Sequence, residues 1–198
     1  METNRLEAFS DGVLAIIITV MVLELKVPHG STLHDLWSTS HLSLITYVLS
    51  FIYIGIYWNN HHHMFQLCGR VTGGVMWANL HLLFWLSLYP FTTSWMDETH
   101  LATTPTVIYG VNLLGAAIAF TILQALLLNQ PETGPQLREA LGADFKGKLS
   151  PVLYAAGIAL AFVQPWLGLI PYAVVALLWL VPDPRVERYL RQQRSSLA

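Results

Sequence analysis

Runs of apolar residues as long as a bilayer is thick constrain this chain more than any other feature. A helix needs about 20 residues to cross the hydrocarbon, and stretches near 9–25, 42–65, 75–95 and 105–128 meet that length. A further stretch, 150–182, could form one oversized helix or two short ones. Pro165 and Pro171 disfavour an unbroken helix, because proline has no amide hydrogen and its ring clashes with the preceding turn. The fold is therefore expected about Gln164-Pro165-Trp166-Leu167-Gly168, with Ser150-Pro151 read as an N-cap and a first-turn proline. Of the 198 residues, 54% are hydrophobic and only 11% charged, against roughly 25% charged in an ordinary soluble domain. With a mean hydropathy of +0.50, a soluble enzyme on one anchor, a coiled coil and a disordered chain are excluded. A net charge of −2 offers no basic surface for nucleic acid. The single cysteine, Cys68, excludes a disulfide framework and a multi-cysteine metal site.

The first stretch reads as a retained span, since Glu2, Glu7 and Asp11 offset Arg5 and no small-residue cleavage site follows Leu25. Charge sets the number and direction of spans. With six spans and an inner N-terminus, Arg5, Arg70, Arg138, Lys146, Lys148, Arg185, Arg188, Arg191 and Arg194 lie inside, leaving Lys26 outside. Five spans would export the arginine-rich tail, against the positive-inside bias. The expected architecture is one all-α membrane domain over 1–198. Its six spans lie near 9–25, 42–65, 75–95, 105–128, 151–164 and 167–182, with both termini and the tail 183–198 cytoplasmic. Within 131–147, Leu137, Leu141 and Phe145 recur at helical spacing beside Arg138 and Glu139, as in a small interfacial helix. The tail reads as a stop-transfer flank or a contact for anionic lipid.

Groups able to do chemistry are sparse at bilayer depth. Thr19, Ser50, Asn79, His81, Ser87, Asn112, Thr121 and Gln124 lie there, without a deep carboxylate and without H-E-x-x-H, G-x-S-x-G or P-loop patterns. A transporter coupled to ions places ionisable groups near the midplane, so a passive pathway is expected, with no enzyme activity, no metal and no cofactor. His61-His62-His63 cannot converge on one metal, because adjacent helical side chains diverge by about 100°. Asp11, at the depth of Arg5, His61 and Asn79, should pair with one of them, within its own subunit or across a subunit contact, unless Ser10 and Asp11 serve only to cap the first helix. A histidine there is also a candidate pH sensor.

The first span is apolar on nearly every side, so hydropathy selects no face. Its isolated Thr19 suggests one, stacked with Gly12, Ala15, Ile16, Val20 and Leu23. A helix buried in protein and one lining a dry pore look alike on this evidence.

The segment Arg5-Leu-Glu-Ala-Phe9-Ser10-Asp11, followed by Gly12-Val13 and an isoleucine-rich helix, resembles the R-x-x-x-F-S-D signature of the transmembrane protein 175 family, the lysosomal potassium channel and its shorter prokaryotic relatives. Trp58-Asn-Asn-His61 with Phe65, Asn79-Leu80 and Pro90-Phe91 match that family's later motifs in order. The resemblance covers about 5–128. It implies a potassium-permeable channel, a homotetramer of six-span subunits in a plasma membrane, with the first helix lining a central pore. Carried over by position, it places an aliphatic constriction at Ile16, a polar ring at Thr19 and further lining at Val20 and Leu23.

The chain has no T-V-G-Y-G filter, Thr72-Gly73-Gly74-Val75 being read as a loop. Selectivity among monovalent cations is then expected from constriction size and partial dehydration. Glu24, Asp35, Asp97 and Glu98 are expected to make the outer vestibule negative and concentrate cations, although Glu24 also fits a plain solvated acid. After Arg70 the chain reads Val71-Thr72-Gly73-Gly74, where relatives often carry acids. A proton-permeable channel, a proton-coupled solute transporter and a membrane metalloenzyme are the competing functions.

Overall fold

The computed structural model describes residues 3–141 and 145–180. Among them every regular element is a helix, in the order α1 (Thr3–Leu23), α2 (Leu33–Gln66), α3 (Gly73–Ser87), α4 (Tyr89–Glu98), α5 (Thr103–Leu128), α6 (Gly134–Leu141), α7 (Phe145–Val163) and α8 (Pro165–Leu180). α1, α2, α5 and α7 are each long and apolar enough to cross a membrane. The protein is a membrane protein. α3 and α4 follow one another across Leu88, and α8 is a shorter apolar helix. The arginines of the tail 183–198 lie outside the described residues.

Local chemistry accounts for most boundaries. Thr32 and Asp35 form a capping box, in which Asp35 N–H donates to Thr32 Oγ1 (3.2 Å) and Thr32 N–H donates to Asp35 Oδ2 (3.0 Å). This start lies well before the apolar stretch at 42, so α2 is longer than hydropathy suggests. Thr72 caps α3 by accepting from Val75 N–H at 3.4 Å. Thr72–Val75 is thus a helix start rather than a loop. Pro90, at the second position of α4, cannot donate backward, and the expected single span at 75–95 is broken in two at Leu88. α7 and α8 separate at Gln164, as Pro165 requires. The reading of Ser150-Pro151 as a helix start is corrected: α7 begins at Phe145, with Pro151 inside it. Ser150 Oγ donates to the Lys146 carbonyl (2.8 Å) and accepts from Trp179 Nε1 (2.9 Å), tying this turn to α8.

The hub of the subunit is α5. Tyr109, Leu113, Ala116, Ala119, Leu123 and Leu127 are fully buried at helical spacing, and α5 packs against α3, α4, α6, α7 and α8. In contrast α1 packs mainly across α2, α3 and α4 and buries a single stripe.

Without a hydrophobic drive between helices in lipid, close packing of small residues holds them together. At the α7–α8 contact a Cβ on Gly168 would sit 2.8 Å from the Gly157 carbonyl oxygen and 2.8 Å from Ala161 Cβ. Backbone cannot yield as a flexible side chain can, so Gly168→Leu should destabilise the subunit by about 1–3 kcal/mol. A lowered midpoint of thermal unfolding in detergent would register this, and an unchanged midpoint would contradict the packing.

Candidate permeation surface and its polar brace

The opening helix is two-faced in the subunit although not in its hydropathy. Leu6, Ser10, Leu14, Ile17 and Met21 are buried, at i, i+4 and i+3 spacing. The opposite face carries Gly12, Ala15, Ile16, Thr19 and Leu23, all exposed. Ile16 is 63% exposed and Leu23 79%, so neither belongs to the core of its own subunit. Val20, at 38%, lies at one edge of this face. With Ile16, Glu24, Phe91 and Glu98 it lines an open groove of about 690 Å³ between α1 and α4. Thr19 Oγ1 donates to the Ile16 carbonyl at 2.9 Å. Its proton is thereby turned into the helix and its lone pairs outward, an arrangement that can accept from water or coordinate a cation.

What fixes this rotation is a buried polar chain. His61 Nε2 donates to Asn79 Oδ1 (2.7 Å), Asn79 Nδ2 to Ser10 Oγ (2.9 Å), and Ser10 Oγ to the Leu6 carbonyl (2.8 Å). His61, Asn79 and Ser10 are buried, and Phe65 packs against the imidazole with ring centroids 4.5 Å apart. Asp11 is not in this chain, nor does Arg5, His61 or Asn79 hold it. Its Oδ1 accepts from Trp58 Nε1 at 3.0 Å on the exposed flank of α1 and α2. The reason is angular: Asp11 lies about 100° round the helix from Ser10, so only one of them can point inward. Neither caps α1, which begins at Thr3. Arg5 and Phe9 are exposed.

The three histidines diverge as helix geometry requires. His61 enters the brace, whereas His62 stacks on Trp58 with centroids 6.1 Å apart and approaches Glu7 Oε1 at 3.5 Å. Glu7 and the Trp58–Asp11 bond carried no role in the sequence reading. The spacing of Trp58 and His61 held a signal: residues three apart on one helix can reach opposite edges of the same neighbour.

At the outer end the expected acids separate. Asp97 is 6% exposed, accepts from Ser43 Oγ at 2.6 Å and lies 3.3 Å from Lys26 Nζ. Its charge is compensated inside the subunit, which corrects its placing in an open vestibule. Glu24 and Glu98 remain exposed on the groove, Glu24 accepting from Ser94 Oγ at 3.0 Å. Asp35 is spent on the α2 cap.

Removing the central amide leaves a buried donor on His61 and a buried hydroxyl on Ser10 without their partner. Asn79→Ala should therefore cost about 1–3 kcal/mol, read as a lowered unfolding midpoint in detergent. An unchanged midpoint would show that the chain does not hold α1.

Residues 5–90 match the family model described as the endosomal/lysosomal potassium channel TMEM175. A potassium channel of Chryseobacterium sp. (strain P1-3) is 49% identical over 195 residues, covering 97% of this chain and all of that protein. A proton channel of the same family from Mus musculus is 28% identical over 171 residues, covering 81% of this chain and 33% of that protein. Among solved structures, the lysosomal potassium-selective channel TMEM175 homolog from Chamaesiphon minutus superposes with a TM-score of 0.72 at 30% identity, covering 90% of this chain and 96% of that one. A motif shared in order, a relative similar along its whole length and a shared fold agree: the chain belongs to the TMEM175 family of ion channels.

Proposed function

We propose that this chain is one subunit of a homotetrameric, passive, potassium-permeable channel of a prokaryotic plasma membrane, with six spans and both termini cytoplasmic. The observation that carries the reading is the free face of α1. Ile16, Thr19 and Leu23 project away from everything the subunit packs, on a helix that its own subunit clamps from behind. Copies arranged around an axis turn that face inward. The six-span count follows if α3 and α4 together make one crossing and α7 and α8 make two.

In this arrangement four Ile16 side chains form the narrow throat. An apolar ring lets water and ions through reluctantly and closes by dewetting when it narrows. One turn outward, four Thr19 hydroxyl oxygens replace part of a cation's hydration shell. Selectivity among monovalent cations comes from size and partial dehydration, since no carbonyl filter is present in the sequence. Glu24 and Glu98 raise the local cation concentration at the outer mouth. The sequence supplies no carboxylate deep in a span to couple the flux to a second ion.

Proton conduction is the second reading, favoured by the proton-channel relatives. Vesicles loaded with potassium should pass electrogenic current without ATP or a sodium gradient. A reversal potential that follows the potassium gradient supports the first reading, and one that follows the proton gradient supports the second. Ile16→Asn should hydrate the throat and raise potassium flux about tenfold, equivalent to a barrier lowered by about 1.4 kcal/mol. Unchanged flux and selectivity would remove Ile16 as the constriction.

A further inference from the structure

Two polar side chains stand on the outer faces of α2 and α3, where lipid alone would meet them. His81 is exposed on α3 between Trp77, 75% exposed, and Phe84, 56% exposed. Its Nε2 accepts from Trp85 Nε1 at 3.0 Å. The neutral ring must then carry its proton on Nδ1, which has no acceptor among the described residues. On α2, Asn59 is half-buried and points away from the core, and its amide makes no hydrogen bond among the described residues. Unsatisfied donors and acceptors at bilayer depth are costly.

The two residues lie at one depth. The His61–Asn79 bond fixes the antiparallel register of α2 and α3. Stepping two residues outward from each, about 3 Å of rise, reaches Asn59 on one helix and His81 on the other. A further turn outward repeats the match in shape. On α2 it reaches Gly55, where an added Cβ would meet nothing within 4 Å, and on α3 the exposed ring of Phe84.

α2 and α3 also stand on opposite flanks of α1. Asp11, at one edge of α1, bonds Trp58 of α2, while Val20, at the other edge, faces Ser87 of α3 and Phe91 of α4. In a closed ring, contacts are heterologous and each copy's first flank meets its neighbour's second.

We propose that α2 of one copy packs on α3 of the next. His81 Nδ1–H donates to Asn59 Oδ1 of the neighbouring copy, and Phe84 seats in that copy's Gly55 notch. The ring itself rests on the channel reading above, but the contact has its own test. In a Cys68→Ala background, Asn59→Cys and His81→Cys combined should be joined by a short bifunctional thiol reagent into a ladder ending at four subunits. Each single variant should remain monomeric on a denaturing gel. Gly55→Trp, whose Cβ meets nothing within 4 Å inside its own subunit, should shift the detergent-corrected mass from tetramer to monomer.

A double variant that stays unlinked, a single variant that links as well as the double, or a Gly55→Trp protein that stays tetrameric would overturn the contact. The channel reading fails separately. A complete ladder from protein that passes no potassium would leave the contact standing and remove the channel, whereas wild-type flux without cross-linking would do the reverse.

Discussion

The hydrogen bonds joining Ser10 to Asn79 and His61 set the rotation of α1, and nearly every functional property of the subunit depends on that angle. A helix that is apolar all round has no preferred face against an apolar neighbour. Leucine and isoleucine would pack almost equally well after a turn of 100°. A serine hydroxyl buried against an amide would not, because each group misplaced from its partner loses a bond that nothing in a dry interior replaces. One polar residue thus places Ser10, Leu14, Ile17 and Met21 inward, which obliges Gly12, Ile16, Thr19 and Leu23 to face outward.

The same economy runs through the rest of the molecule. Polar groups at depth are spent on joining helices. Ser50 bonds Thr93 and Tyr109 at 2.7 and 3.1 Å, and Asn112 Nδ2 reaches Thr92 Oγ1 at 3.3 Å. The carboxylates are partnered, Asp97 with Lys26 and Ser43 at the end of α4 and Asp11 with Trp58 on the flank of α1. The exposed face of α1 carries an aliphatic surface and one hydroxyl, with Glu24 and Glu98 exposed on the adjoining groove. In the proposed pore, such a face would admit ions by size and hydration.

Much of this was legible in the sequence. Apolar length marked the helices, and Pro165 marked the break between α7 and α8, because proline acts locally and its effect survives any context. Thr19 pointed to the exposed face by being the only hydroxyl in the aliphatic run from Gly12 to Leu23. Other features were hidden for physical reasons. The break at Leu88 falls in an unbroken apolar run, where hydropathy is blind to a kink. Pro151 marked a helix start in principle, yet α7 begins six residues earlier, at Phe145, and Ser150 ties this turn to Trp179 of α8. Asp11 was expected against Arg5, His61 or Asn79 and Asp97 in an open vestibule, because depth along a helix leaves the azimuth open. Asp11 has three polar groups at its level and takes a fourth, Trp58, on the side its own rotation dictates. Asp97 turns inward to Ser43, which belongs to a helix 54 residues away in sequence.

The measurement that bears most directly on the account is a cysteine scan along α1, with potassium flux followed before and after a charged thiol reagent. In a Cys68→Ala background, modification at Ile16, Thr19 and Leu23 should block or reshape the current. Substitutions at Leu14, Ile17 and Met21 should be inert to the reagent. If current responds to modification on the buried stripe, or ignores it at Ile16 and Thr19, ions do not travel along the face that Ser10 and Asn79 hold outward.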